Sequence, residues 1–231
     1  MTENVQTAQT IGYGTTSPAE RNKVLRNTYW LLALSLLPTV LGAYIGVVTG
    51  ITAGLTGFMG LIVFMAGAFG FIYAIEKTKN SAMGVPVLLA FTFFMGLMLS
   101  RMIGMVLGFS NGASLVMTAF AGTAGVMVVM ATLATVIKRD LSGMRKWLFV
   151  GALVIMVAAI INVFVGSTAM MAVISTLAIA VFSAFLLYDL KQVMDGGETN
   201  YISATLSIYL NLFNIFQSML ALLGIFGGDK E

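Results

Sequence analysis

Neither cysteine nor histidine occurs in this chain of 231 residues. Without cysteine there are no disulfides and no thiol nucleophile, and without histidine there is no imidazole to act as a general base. The side chains that most often ligate zinc and haem iron are therefore missing, and a Ser–His dyad is excluded. We predict that the protein is not an enzyme and that it holds no metal or cofactor.

Charged residues are scarce as well. They make up 9% of the sequence, against roughly 25% in soluble domains, whereas hydrophobic residues make up 59%. The polar stretch ahead of Thr28 has no apolar core followed by a small-residue cleavage site, so we expect no removable signal peptide. The composition predicts one integral membrane domain whose first span itself inserts into the bilayer.

Hydrophobicity along the chain predicts seven transmembrane helices and therefore an all-α integral membrane protein. Each apolar segment has about the 20 residues needed to cross the hydrocarbon core, and the connections are short. The segments run approximately over residues 28–48, 51–74, 82–107, 112–137, 147–165, 168–188 and 202–226. The chain is thus divided into a polar tail (1–27), a seven-helix membrane domain (28–226) and a short C-terminal tail (227–231).

The basic residues are distributed unevenly between the two sides of these spans. Arg101 and Lys230 fall on one side, and the other side carries Arg21, Lys23, Arg26, Lys77, Lys79, Lys138, Arg139, Arg145, Lys146 and Lys191. Because basic residues concentrate in cytoplasmic loops, we predict a cytoplasmic N-terminus and an external C-terminus. The same asymmetry explains the net charge of +3, which is no evidence for a nucleic-acid partner.

The last span carries a stripe of polar side chains. Ser207, Asn211, Asn214 and Ser218 follow one another at intervals of four, three and four residues, which places them on one face of a helix. An unsatisfied amide in hydrocarbon costs several kcal/mol, so this face should point into the bundle or a water-filled cavity. The seventh helix is therefore expected to be central. Its amides either bond neighbouring helices or line a pathway, and the pattern leaves both open.

Asp189 lies next to the cytoplasmic end of the sixth span, where a carboxylate needs a partner or water. Candidate partners are Lys77 or Lys79 at the end of the second span, Lys191 nearby, and the amide face of the seventh helix. The alternative is an acid at the membrane interface that is simply hydrated. A retinal protein would need a lysine within the last span and an intramembrane aspartyl protease a second acid, so the sequence argues against both.

Two stretches of the sequence resemble the Bax inhibitor-1 family, also called the transmembrane Bax inhibitor motif family. YDLKQVMDGGETNYISATLSIYLNLFNIF (residues 188–216) is similar to the C-terminal signature of that family. Together with KVLRNTYWLL (residues 23–32), it is most similar to the bacterial branch, the modulators of the FtsH protease. The likeness extends over nearly the whole chain. It implies a fold in which six helices surround a central seventh, and a location in the inner membrane of a bacterium.

The resemblance also implies roles for residues in the last two helices. In calcium-leak members of the family, an aspartate on the sixth helix and one on the seventh share a proton and gate a pore according to pH. Asp189 matches the first position, but Asn211 occupies the second, so there is no second charge to repel the first. Asn211 can instead donate a hydrogen bond to Asp189 and hold a closed latch, to which we also assign Asn214 and Lys77. A simple helical hairpin, however, leaves Asn211 about 9 Å deeper than Asp189 at 1.5 Å per residue.

Two functions remain open at this point. The resemblance implies that the protein binds an FtsH-type membrane protease and restrains its degradation of membrane proteins. The polar N-terminal tail with Arg21, Lys23 and Arg26 is then a candidate handle for the protease, the alternative being an inert tail. The second function is a pH-modulated leak channel for Ca²⁺ or another cation, which the missing second acid argues against.

Overall fold

The computed structural model describes residues 17–228, and this part of the chain contains seven α-helices and no β-strand. The helices are α1 (Pro18–Thr49), α2 (Gly57–Thr78), α3 (Gly84–Leu107), α4 (Gly112–Val136), α5 (Met144–Val165), α6 (Thr168–Asp195) and α7 (Tyr201–Phe226). Each is long and apolar enough to cross a membrane, which confirms the predicted seven-span architecture. Residues 1–16 and 229–231, which hold much of both predicted tails and Lys230, lie outside the described range.

Capping groups, rather than hydrophobicity, set the ends of two helices. α1 begins at Pro18, well before the apolar segment near Thr28, because Ser17 and Glu20 form a reciprocal capping box. α6 continues past Tyr188 to Asp195 and ends at Gly196, whose φ of 82° is the left-handed conformation that glycine adopts without strain. Both extensions are polar, so an apolar window cannot detect them.

Helix α7 lies at the centre of the bundle, as its polar face predicted. It contacts α1, α2, α3, α4 and α6, and its side chains Ile208, Ile215 and Leu220 are completely buried. Helix α5 is different, because it contacts α6 and α2 but not α7, and none of its residues is buried. Five helices therefore pack directly against α7, and α5, expected as the sixth, stands outside this ring at the periphery.

Within the described residues, helices α1 and α3 share the most extensive contact of any helix pair. A methyl group on Gly96 of α3 would overlap the carbonyl oxygen of Thr39 in α1, and one on Gly42 would overlap the carbonyl oxygen of Phe93. Glycine at these positions lets the two backbones touch, which is how helices associate where lipid offers no hydrophobic driving force between them. This contact fixes α1 firmly against the rest of the bundle.

The bundle has two chemically different ends. α1, α3, α5 and α7 begin at one end, which we call the basic end; its described basic residues are Arg21, Lys23, Arg26, Lys77, Lys79, Lys138, Arg139, Arg145, Lys146 and Lys191. At the opposite end, Arg101 of α3 donates a hydrogen bond to the carbonyl oxygen of Leu55 at 3.0 Å. The positive-inside rule predicts that the basic end faces the cytoplasm.

Candidate functional site

Asp189 of α6 and Asn211 of α7 are in direct contact. The side-chain amide of Asn211 donates a hydrogen bond from Nδ2 to Oδ2 of Asp189 at 2.7 Å. Asn211 is 5% exposed and Asp189 is partly buried, so the bond lies inside the bundle. A carboxylate that accepts a hydrogen bond from a neutral amide faces no like charge at this position. We call this pair the α6–α7 latch.

The geometry of the α6–α7 hairpin explains why the expected 9 Å offset does not separate the two side chains. Because α6 ends at Asp195 and α7 begins at Tyr201, the turn is centred near residue 198 and Asp189 faces the level of Ser207. The remaining offset to Asn211 is about 6 Å at 1.5 Å per residue. In each helix the Cα–Cβ bond tilts toward that helix's own N-terminus, so in this antiparallel pair the two side chains lean toward each other.

The latch forms part of the wall of a cavity between α5, α6 and α7. The cavity has a water-accessible volume of about 690 Å³ and lies toward the basic end. Its polar wall is formed by Asp189, Gln192, Ser207, Asn211 and Asn214, and its apolar wall by aromatic residues that include Phe149, Phe182 and Phe185. It occupies the space that opens because α5 does not contact α7. Three members of the predicted polar stripe therefore face this cavity.

Asn214 contributes to the cavity without joining the latch. Its Nδ2 donates a hydrogen bond to the carbonyl oxygen of Leu210, one turn earlier in the same helix, at 2.8 Å. Ser218, the fourth member of the stripe, is also buried but is not among the residues that line the cavity. The stripe thus contains one residue that bonds a neighbouring helix and one that bonds its own.

The lysines proposed as partners of Asp189 do not pair with it. Lys77, which we assigned to the latch, lies elsewhere in the structure. Its ammonium is 5.5 Å from the ring centroid of Tyr73, and α2 has no contact with α6. Lys79 forms an ion pair with Glu76 of its own helix. Lys191 is 9% exposed and bonds Asp195 one turn further along α6, at 2.9 Å. Each of these three lysines therefore contacts a residue three or four positions away in the sequence rather than Asp189.

Two charges that the sequence did not connect with Asp189 lie close enough to interact with it. Arg145, the second residue of α5, and Glu198, in the turn before α7, line the same cavity. Both act electrostatically on the Asp189 carboxylate. From the sequence, Arg145 served only to predict the orientation of the spans, because nothing in the spacing indicates that the start of α5 lies beside the end of α6.

The turn between α6 and α7 is held by Asn200. Its side-chain oxygen accepts hydrogen bonds from the backbone of Ile202 and Ser203, which caps α7. Its Nδ2 donates to the carbonyl oxygen of Lys79 and to Oδ1 of Asn80, at 3.2 and 2.8 Å. One side chain therefore starts the central helix and ties it to the connection between α2 and α3. The sequence signal is an asparagine between the turn glycines and an apolar helix.

The residues assigned to the protease handle lie on the first turns of α1. Lys23 and Arg26 are exposed and Arg21 is partly buried, and none of the three lines the cavity. The structure therefore brings Asp189, Asn211 and Asn214 to one site and leaves the handle residues in another place. Within residues 17–228, no group of three or more carboxylates is arranged to hold a metal ion.

Comparison with known proteins identifies the family to which this seven-helix chain belongs. Residues 21–228 match the model of the family described as inhibitor of apoptosis-promoting Bax1. An uncharacterised membrane protein of Vibrio cholerae is 37% identical over 91% of this chain and 92% of its own. The modulator of FtsH protease YccA of Escherichia coli K12 is 34% identical over 93% of this chain and 95% of its own, and a relative in another E. coli strain is named as an inner membrane protein. The chain is a multi-pass protein of the bacterial inner membrane and belongs to the Bax inhibitor-1 family.

Proposed function

We propose that this protein modulates an FtsH-type membrane protease, binding it and restraining its degradation of membrane proteins without catalysing a reaction itself. The observation that carries the proposal is the likeness, over almost the whole of both chains, to the E. coli modulator of that protease. The basic end is then the side that meets the protease, since the positive-inside rule places it in the cytoplasm.

We further propose that the protease grips the chain ahead of α1 and then meets resistance. Arg21, Lys23 and Arg26 belong to the helix, so the handle is confined to the residues before Ser17, which lie outside the described range. Pulling on them must first break the capping box and then draw α1 away from α3. Because Gly42 and Gly96 let those two backbones touch, that step breaks an extended contact at once. A chain that is gripped but slowly extracted occupies the protease and so restrains it.

The test measures both binding and turnover. The full chain should co-purify with the protease from detergent-solubilised membranes. Deleting residues 2–15, which keeps Ser17 and Glu20 and all three basic residues of α1, should lengthen the lifetime of the chain in cells with active protease. The control is the same deletion in cells that lack the protease, where lifetime should not change. Absence of co-purification together with an unchanged lifetime would contradict the proposal.

A second candidate function is a cation leak, and one observation favours it. Asp189 lies on the wall of a cavity of about 690 Å³ that also presents the amides of Asn211, Asn214 and Gln192, whose oxygens suit a hard cation. Against it stand the absence of a second acid at the latch and the positive charge of Arg145 at the same cavity. Cation flux into liposomes that contain the purified protein separates this function from protease modulation. Flux without protease binding would favour the leak.

A further inference from the structure

The cavity beside the latch carries two cations and two anions that are not paired with one another. Arg145 and Lys146 stand at the start of α5, Glu198 lies in the turn before α7, and Asp189 lies on the α6 wall. The two ion pairs found within residues 17–228 are Lys79–Glu76 and Lys191–Asp195, so none of the four takes part in one. The site is therefore neutral overall but has separated positive and negative sides.

The cavity is also open toward the side of the bundle. Among residues 17–228, helix α2 is the only neighbour of α5 other than α6. Its aromatic contact with α5, between Phe58 and Phe164, lies at the opposite end. No residue of α2 lines the cavity. Near the basic end, therefore, α2 does not close the gap between α5 and α7. The apolar side chain of Phe149, which is 58% exposed, stands on the α5 side of this gap, where a bilayer would meet it.

The charge arrangement selects the kind of molecule that fits. A simple cation is repelled by Arg145 and Lys146, and a simple anion is repelled by Asp189 and Glu198. A zwitterion satisfies both sides, and an apolar tail attached to it would lie against the aromatic wall and in the surrounding lipid. A volume of about 690 Å³ is large enough for a head group of this kind.

The polar wall favours one class of zwitterion over another. The amide oxygens of Gln192, Asn211 and Asn214 and the two carboxylates are hydrogen-bond acceptors. A primary ammonium group has three N–H donors for such acceptors, whereas the quaternary ammonium of a choline head group has none. A phosphate group in turn suits the arginine and lysine at the start of α5, where the helix N-terminus adds positive potential.

We propose that the cavity between α5, α6 and α7 binds the head group of a phosphatidylethanolamine molecule from the leaflet at the basic end. Arg145 and Lys146 contact the phosphate, and Glu198 and Asp189 face the ammonium group. The acyl chains leave through the gap between α5 and α7 that α2 does not close. This site does not depend on the protease, so it can exist whether or not the protein acts as a modulator.

The test titrates the delipidated full chain in detergent with phospholipids that share one pair of acyl chains, counting bound lipid by native mass spectrometry. We expect phosphatidylethanolamine to bind at least tenfold more tightly than phosphatidylcholine. The double variant Arg145→Ala/Lys146→Ala should bind phosphatidylethanolamine at least tenfold more weakly, as expected for the loss of charge-assisted hydrogen bonds. The matched control is Lys138→Ala/Arg139→Ala, which removes the same charge from the same end outside the cavity and should leave binding unchanged.

The variant Glu198→Gln distinguishes a zwitterion from an anion. Its amide oxygen can still accept the hydrogen bond that Glu198 Oε1 takes from the backbone of Asn200, so we expect the turn to be retained. It should weaken phosphatidylethanolamine binding about tenfold while leaving phosphatidylglycerol binding equal or stronger. If phosphatidylglycerol binds the parent more tightly than phosphatidylethanolamine, the site selects anions and the proposal is wrong. It is equally wrong if all head groups bind alike, or if the control variant loses as much binding as the cavity variant.

Discussion

The α6–α7 latch should contribute measurably to the stability of the bundle, and Asn211→Ala is the change that isolates it. A hydrogen bond to a charged group contributes about 1.5–3 kcal/mol, whereas side-chain bonds measured within membrane proteins average about 0.6 and reach about 1.7 kcal/mol. Asp189 faces a cavity that admits water, and water replaces part of the lost bond. We therefore expect a coupling free energy between the two side chains of about 1–1.5 kcal/mol.

The measurement is a double-mutant cycle on the free energy of unfolding. The parent, Asn211→Ala, Asp189→Ala and the double variant are unfolded by adding sodium dodecyl sulfate to detergent micelles, and helix content is followed by circular dichroism. Including lost packing, Asn211→Ala should lower the unfolding free energy by about 1.5–2 kcal/mol. By the scaling of soluble proteins of this size, the melting temperature should fall by about 3–8 °C.

Asn214→Ala is the matched control, since it removes the same amide from the same helix and the same cavity. The bond it deletes runs to the carbonyl oxygen of Leu210, which remains bonded to the helical backbone. This variant should therefore cost less than about 0.5 kcal/mol. The latch does not stabilise the bundle as described if Asn214→Ala lowers the free energy of unfolding as much as Asn211→Ala does. The same holds if the effects of the Asp189 and Asn211 changes on that free energy add within about 0.3 kcal/mol.

Three further predictions concern topology, pH response and packing. In this cysteine-free background, Gly143→Cys should be protected from a thiol reagent that cannot cross the membrane and is added outside the cell, whereas Ser110→Cys should react. Labelling at residue 143 would contradict the predicted orientation. Asn211→Asp should create two adjacent carboxylates that share a proton, so the cation leak of liposomes with this variant should change between about pH 6 and pH 8, while that of the parent should not depend on pH. Adding Asp189→Asn should abolish the response, and an Asn211→Asp variant whose leak is as independent of pH as that of the parent would show that the two positions do not communicate. Gly96→Ala should destabilise the bundle by about 1–3 kcal/mol in the same unfolding assay, because its methyl group overlaps the backbone of α1, and an effect below 0.5 kcal/mol would contradict the close packing.

The start and end of individual helices were only partly predictable. A window of apolar residues places α3, α4 and α7 almost correctly, because their polar flanks are short. It misses the first turns of α1 and the last turns of α6, which are polar and end at caps. Ser17 with Glu20, and Gly196, carry those signals in the sequence, but a hydrophobicity window averages over single residues and does not register them.

Composition and helical periodicity were enough to predict the membrane environment of the protein, the number of its spans and the helix at the centre of its bundle. Low charge and seven apolar segments leave a membrane as the only medium in which such a chain can fold. The spacing of Ser207, Asn211 and Asn214 put the polar face of the last helix inside, because an amide cannot stay unsatisfied in hydrocarbon. These conclusions depend on local composition and on the helical period alone.

Which polar groups meet, in contrast, depends on how the helices pack against one another. The contact between Asp189 and Asn211 depends on where the α6–α7 turn is centred and on the opposite tilt of the two Cα–Cβ bonds. The separation of α5 from α7, which opens the cavity and brings Arg145 to it, has no sequence signal, because an apolar residue that faces lipid looks the same as one that faces a neighbouring helix. Distances between helices are set by packing among segments far apart in the chain, and no local pattern contains that information.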